Sequence, residues 1–360
     1  MTILPNLNTE GIKYVGSKLR LIPYIYDIIK ELPVVNVLDG FSGTTRVSQM
    51  LANNGYKVFS NDISEWSNVF AKAYLLHNNT LKYYNDLLDH LNQIKGYKGW
   101  FTEHYGGDEN SKGKKPFQIK NTMKLDGIRD EIDNLNLSDI DKSVALTSLI
   151  LAMDCVDNTL GHYCSYLSGW SKRSYNNIEL KIPKLCSKSR KHIVYKEDIF
   201  NIINKNYYDL VYFDPPYGSN NDKMPSSRVR YNSYYHIWTS IILNDKPSVF
   251  GNANRRMDTK DGLADSVFED YRKNNDGNFF VLDSIKSLIH NTNAHYILLS
   301  YSSSGRVTKD DLLLILNKEG KLLQNKEIDY RTNVMGVQRW TNEWINSTNR
   351  TNEYLFLLEK

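Results

Sequence analysis

A chain of 360 residues with 41% hydrophobic residues can build one large α/β domain with insertions, or two domains. "MTILPNLNTE" at the start shows no secretory pattern, and the longest apolar stretch, "SVALTSLILAM" (143–153), is shorter than the roughly 20 residues of a membrane span, so a cytoplasmic protein with no membrane partner is expected. Three cysteines without a CxxC pair and eight scattered histidines argue against a disulfide framework and against a metal site, and the net charge of +4 singles out no partner class.

In chain order, "GIKYVGSKLRLIPYI" (11–25) comes first. Lys13 and Tyr14 precede a tight turn at Gly16 and can close over a ligand, although spacing alone favours an ordinary helix start. Helical spacing covers 18–30. The strand "VVNVLDGF" (34–41) then runs into "VLDGFSGTTRVSQML" (37–51), where Asp39 is followed by a small-residue turn and an amphipathic helix over 44–53. Gly40 and Gly43 allow tight turning and close approach. Backbone amides at a helix start suit an anion, and with neither GxGxxG nor GK[ST] present, the carboxylate of a bound amino acid is a better candidate than a phosphate.

The second strand, "YKVFSND" (56–62), ends on Asp62, which can accept both hydroxyls of a ribose or cap the helix over 65–76; the preceding turn favours the ribose. Residues 77–140 are rich in Gly, Asn, Lys and aromatics, with helical spacing at 121–135, and the next helix is expected over 141–156. A structureless loop of that length is disfavoured in a core, so the stretch reads as an insertion. Residues 172–196 hold eight Lys/Arg against one acid, Glu179. The third strand, "HIVYKED" (192–198), ends on Asp198, which can accept from an adenine amino group or serve equally as a capping acid.

The fourth strand, "YDLVYFD" (208–214), runs into Asp214-Pro215-Pro216-Tyr217. Two prolines remove two ladder donors and fix two φ angles, which leaves a stiff hook of a carboxylate, carbonyls and an aromatic ring. An exocyclic amine on a base is a poor nucleophile because its lone pair is delocalised. If Asp214 and the Pro215 carbonyl accept its two protons, the nitrogen becomes more tetrahedral and can attack an electrophile, while Tyr217 offers a face to a base swung out of the helix. Residues 218–260 carry seven Lys/Arg against three acids, interleaved with rings in "SSRVRYNSYYHIW" (226–238), a nucleic-acid pattern. Helices over 278–290 and 308–317 and strands over 295–301, 321–330 and 352–360 complete the pass. Strands alternating with helices imply a Rossmann-like, doubly wound α/β fold, and the two closely spaced last strands imply an antiparallel edge.

With "GSK" beside Lys13-Tyr14, then "DGFSG", "NDIS" and "DPPY" in that order, the chain resembles the S-adenosylmethionine-dependent adenine-specific DNA methyltransferases of the Dam-like (alpha-type) kind, and "NTMKLDGIRDEI" (121–132), "DNTLGHYCSYL" (157–167) and "YYHIWTSIILNDKP" (234–247) resemble stretches of restriction-associated adenine methylases. The resemblance implies a mainly parallel seven-stranded sheet with an antiparallel edge strand and an inserted helical recognition region. It implies S-adenosyl-L-methionine as cofactor, held by Lys13, Tyr14, Asp39, Phe41, Ser42, Gly43, Thr44, Thr45, Asp62, Ile63, Asp198, Ile199 and Asp214. Asp214, Pro215, Pro216 and Tyr217 match its catalytic tetrapeptide. Thr45 stands where the family turn often carries a last glycine, and the leading aspartate of the tetrapeptide favours adenine over cytosine.

The expected reaction is methylation of adenine N6 in double-stranded DNA, as the modification enzyme of a restriction-modification system, with a cognate endonuclease acting on the same site and a monomer or dimer working at the bacterial nucleoid. The alternatives are a cytosine-N4, RNA-adenine or protein-glutamine methyltransferase of the same fold, or a DNA-binding specificity subunit without catalysis. The expected organisation is a cofactor-binding domain from 1–76 and 190–360, an inserted, DNA-contacting region at 77–189, and a lid at 218–275. Lys18, Arg228, Arg230, Asn232 and Tyr235 are the expected DNA contacts, with base readout also drawing on the 96–115 insertion.

Overall fold

A computed structural model of the protein describes residues 4–111, 114–218, 230–260, 266–330 and 351–360. The strands of its main sheet are β1 (Asn36–Asp39), β2 (Lys57–Asn61), β3 (Ile193–Tyr195), β4 (Tyr208–Phe213), β5 (Ala294–Ser302), β6 (Lys321–Tyr330) and β7 (Thr351–Glu359). These form one seven-stranded sheet in the order β6-β7-β5-β4-β1-β2-β3. The pairs β1–β4, β4–β5 and β2–β3 are parallel, and β5–β7 and β6–β7 are antiparallel. The α/β class, the mainly parallel sheet and the antiparallel edge agree with the sequence pattern. The chain divides into two compact units.

The first unit holds residues 1–32, 42–196 and 231–262. Its helices are α1 (Ile22–Ile29), α2 (Arg46–Asn53), α3 (Glu65–Leu76), α4 (Leu81–Gln93), α5 (Trp100–Tyr105), α6 (Ile119–Asn134), α7 (Asp139–Val156), α8 (Tyr231–Tyr234) and α9 (His236–Leu243). The apolar run near 143–153 lies in α7, which is buried nearly all round and capped by the Ser138 hydroxyl, accepting from the Asp141 N–H at 3.1 Å. Among the described residues no helix is long and apolar enough to cross a membrane. Ala73 of α3, Tyr84 of α4 and Val144 of α7 share one core cluster, with Ile182 and Leu185 packed against it.

The polar stretch after residue 77 is more helical than its composition suggests. In α4, Tyr84, Leu87, Leu88 and Leu91 are buried, a period-3.6 stripe behind the Thr80 cap. Helix α5 is only six residues long and depends on its cap. The Asp126 carboxylate of α6 accepts from the N–H groups of Gly99, Phe101 and Thr102 at 2.9–3.1 Å and from the Thr102 hydroxyl at 2.6 Å.

The second unit holds residues 33–41, 197–230 and 263–360, with helices α10 (Phe280–Asn291) and α11 (Lys309–Glu319). Strand β4 is buried along almost its whole length, as a central parallel strand must be. It pairs with β1 in a register that sets Asp39 opposite Tyr212, and the Gly40 N–H continues the ladder to the Tyr212 carbonyl at 3.0 Å. Pro215 and Pro216 follow where that ladder ends.

Replacing Asp126 by Ala leaves several helix-start donors unmet in a buried setting. The expected loss is about 3 kcal/mol of unfolding free energy, read by urea denaturation. A change within about 0.5 kcal/mol, the ordinary range of a surface substitution, contradicts the capping role.

Candidate active site

The expected site residues fall into two groups, one in each unit. In the first unit, the Asp62 carboxylate accepts from the Gly43 N–H at 2.8 Å and from the Ser64 N–H at 2.9 Å. It therefore ties the turn to the end of β2 and holds the Ser64 amide at the entry to α3. Burial holds its carboxyl above the ordinary range, against the pull of the Ser64 and Gly43 amides. Beside it, Ile63 is an apolar side chain left 51% exposed.

Gly43 sits at φ +50°, and a Cβ there would lie 3.4 Å from the Tyr14 ring. Tyr14 thus lies against the turn. Ser42 is buried, its N–H donating to the Asn61 carbonyl at 2.9 Å and its hydroxyl 2.9 Å from that of Ser67; Thr44 is buried as well. Thr45 adopts φ +62° with no exposure, a left-handed conformation that favours glycine. Its hydroxyl is engaged within the protein, donating to the Thr44 carbonyl at 2.7 Å and accepting from Gln49 Nε2 at 3.0 Å. These bonds offset the backbone cost that a glycine would avoid.

The N-terminal segment is stitched onto α2. Arg46 donates to the Thr9 and Gly11 carbonyls at 3.0 and 3.2 Å, and Gln49 donates to the Glu10 carbonyl at 2.9 Å. The Lys13 ammonium donates to the Asp154 carbonyl and pairs with the Asp157 carboxylate at 2.8 Å. Asp157 is fully buried and also meets Arg173 at 2.8 Å. Lys13 therefore anchors the segment that carries Tyr14. Tyr14 stacks on Tyr235, with ring centroids 4.6 Å apart, and on Tyr231 at 5.3 Å. Tyr235 is fully buried; its hydroxyl accepts from the Val15 N–H at 2.7 Å and donates to the Gly161 carbonyl at 3.2 Å.

Of the expected DNA contacts, Lys18 and Tyr235 are buried, Arg230 and Asn232 are partly exposed, and Arg228 lies outside the described residues, as do residues 219–229 and 261–265 of the expected lid.

In the second unit, Asp39 is buried and Phe41 packs edge-on to Phe213 at 6.0 Å and to Phe268 at 5.2 Å. Asp198 is exposed and caps a short 3₁₀ turn, accepting from the Phe200 N–H at 2.9 Å; Ile199 beside it is buried. Pro215 is buried, while Asp214, Pro216 and Tyr217 are partly exposed. The Tyr217 hydroxyl donates to the buried Glu353 of β7 at 3.1 Å, and its ring packs edge-on to Tyr301 at 5.4 Å. The chain passes from one unit to the other between Phe41 and Ser42, so the turn after β1 belongs covalently to both.

Sequence spacing had singled out neither Glu353 nor the Asp154–Asp157 pair. Asp157 opens the "DNTLGHYCSYL" stretch that the family resemblance covers, but nothing in its local pattern marks the pairing with Lys13 and Arg173.

A family model for the D12 class N6 adenine-specific DNA methyltransferases matches residues 14–262. The chain is 29% identical to the modification methylase StsI of Streptococcus sanguinis, over 89% of this chain and 48% of that protein. It is 25% identical to the type II methyltransferase M.FokI of Planomicrobium okeanokoites, over 97% of this chain and 52% of that protein. Identity to the type II methyltransferase M.NlaIII of Neisseria lactamica is 26%, over 96% of this chain and 99% of that protein. The chain thus spans about half the length of the first two relatives and nearly all of the third.

Burial pushes the Asp154 carboxyl up to about 6, with Lys13 opposing and Asp157 adding to the shift. The folded state holds that proton to higher pH than the unfolded chain does. The stabilisation from this group is therefore complete below about pH 4 and is lost as pH rises through about 6. Asp154→Asn should flatten that part of the stability profile, measured by denaturant melts between those pH values; an unchanged slope contradicts the assignment.

Proposed function

Because the chain belongs to the D12 class N6 adenine-specific DNA methyltransferases, we propose that it methylates adenine N6 in double-stranded DNA as the modification enzyme of a type II restriction-modification system. The reading includes a cognate endonuclease that cuts the same site and action in the cytoplasm, at the nucleoid. The observation that carries it is the β1–β4 register. Asp39 pairs with Tyr212, so the acid that opens the turn and the Asp214 tetrapeptide stand at the same end of two adjacent parallel strands. That end is where open α/β sheets hold their ligands.

S-adenosyl-L-methionine suits the residues present. Gly43 brings no side chain of its own to the turn, Asp62 is fixed at the end of its strand, and Ile63 exposes an apolar surface beside it. In this reading Asp39, Phe41 and Ser42 to Thr45 hold the amino-acid end, Asp62 the ribose, and Ile63, Asp198 and Ile199 the purine, while Tyr14 covers the turn and Lys13 anchors it. Bound there, the cofactor supplies a methyl group already activated by its sulfonium.

The protein's own work is alignment. The Asp214 carboxylate and the Pro215 carbonyl accept hydrogen bonds from the two N–H groups of the adenine amine, which frees the nitrogen lone pair to take the methyl group as its bond to sulfur breaks; the cationic amine then releases one proton to solvent. The carboxylate stabilises the positive charge that grows on that nitrogen. Pro215 and Pro216 keep both acceptors fixed, so little reorganisation accompanies the reaction. Tyr217, held at its hydroxyl and along one edge, presents its ring to the flipped base. Arg230, Asn232 and the helical region of 77–189 are assigned to the DNA, since Arg and Asn read base edges.

Incubating the purified protein with methyl-labelled cofactor and unmethylated duplex DNA should place label on adenine. Asp214→Ala should lower the rate by about 100-fold or more. Equal rates for variant and parent overturn the mechanism, and label on cytosine overturns the choice of base.

A further inference from the structure

Arg306 follows the turn that leaves β5, and nothing in the family pattern or the sequence reading gives it a role. It meets the exit of the tetrapeptide twice. Its backbone N–H donates to the Tyr217 carbonyl at 3.1 Å. Its guanidinium lies against the next residue, where a Cβ placed on Gly218 would come 2.0 Å from Nη1 and 2.4 Å from Cζ. Gly218 is also at φ +58°, so both its backbone angle and its surroundings require glycine.

The arginine itself is immobilised. It is 3% exposed, Nη1 donates to the Glu269 carbonyl at 3.0 Å, and the guanidinium stands 6.0 Å from the Phe279 ring centre. The following residue is fixed as well, the Val307 N–H donating to the Tyr301 hydroxyl at 3.3 Å, and Tyr301 is the ring against which Tyr217 packs. Burying a guanidinium costs free energy, and a stack of apolar side chains would fill the same space with less penalty. An apolar side chain lacks a flat, rigid fork that fits beneath a bare α-carbon while its own peptide holds the preceding carbonyl.

We propose that Arg306 is a positioning residue for methyl transfer: from beneath Gly218 it fixes the Tyr217–Gly218 peptide, and so the direction in which the tetrapeptide aims Asp214 and the Tyr217 ring. The proposal rests on the methyltransferase reading. Arg306 itself touches neither base nor cofactor, and its effect reaches the reaction through backbone geometry. A misplacement of about 1 Å at the reacting groups is enough to lower a rate about 100-fold.

The test uses the full chain with Arg306→Met, Arg306→Lys and Gly218→Ala. Single-turnover methyl transfer to saturating unmethylated genomic DNA is compared with the cofactor dissociation constant and the melting temperature of each variant. The expected result is a rate lowered about 100-fold in Arg306→Met and Gly218→Ala, with cofactor affinity within about 3-fold of the parent, and a smaller loss in Arg306→Lys. Rates within about 3-fold of the parent in both severe variants overturn the proposal, as does a rate loss that only tracks weakened cofactor binding and a lowered melting temperature. Gly218→Ala keeps the arginine but forces the Gly218 peptide and the guanidinium apart, so it tests the aim of the tetrapeptide even where Arg306→Met fails to fold. A parent with no transfer to adenine overturns the functional reading and this proposal with it; an active parent confines any failure to the proposal.

Discussion

Two consecutive prolines cannot donate to a β-ladder, and that constraint organises the protein around residue 215. Strand β4 is buried and apolar until the prolines stop it. Its parallel register with β1 fixes where the stop occurs relative to Asp39. The tetrapeptide is then held from outside the strand, by Glu353 at the Tyr217 hydroxyl and by the Arg306 N–H at the Tyr217 carbonyl. A rigid hook needs such supports because its own residues supply few backbone donors.

The cofactor turn follows a similar logic by different means. Asp62 gathers the Gly43 and Ser64 amides, and Thr45 accepts a left-handed backbone that its side-chain bonds stabilise. The segment carrying Tyr14 is pinned by Arg46, Gln49 and the buried Asp157 with its two cations. Rigidity is thus built by charged and polar groups turned inward, at positions where a surface reading of the sequence would place solvent.

All seven strands of the sheet were legible in the sequence; β4, β5 and β7 are buried apolar runs, whereas β3 is half-buried and β6 largely exposed. The long helices α3, α6, α7, α10 and α11 were legible for the same kind of reason. Helices α4, α5, α8 and α9 were not, since they lie in polar stretches rich in Asn, Lys and aromatics, although α4 carries a clear helical stripe. The site residues named from the turn and the tetrapeptide depend on local pattern. Glu353, Asp157 and Arg306 act through contacts with residues far away in the chain, and a single sequence holds no mark of such pairings. Burial also decides between chemically similar residues. Tyr235 and Lys18 look like surface contacts in a basic, aromatic setting, yet both lie inside the protein.

The central claim is that the hook at Asp214 presents an adenine amine for methylation. Expressing the chain in a host free of DNA methylation and sequencing its modified bases tests this most directly. The account predicts N6-methyladenine within one short recurring sequence, absent when Asp214 is replaced by Ala. Unmodified DNA, or N4-methylcytosine in place of methyladenine, would contradict it.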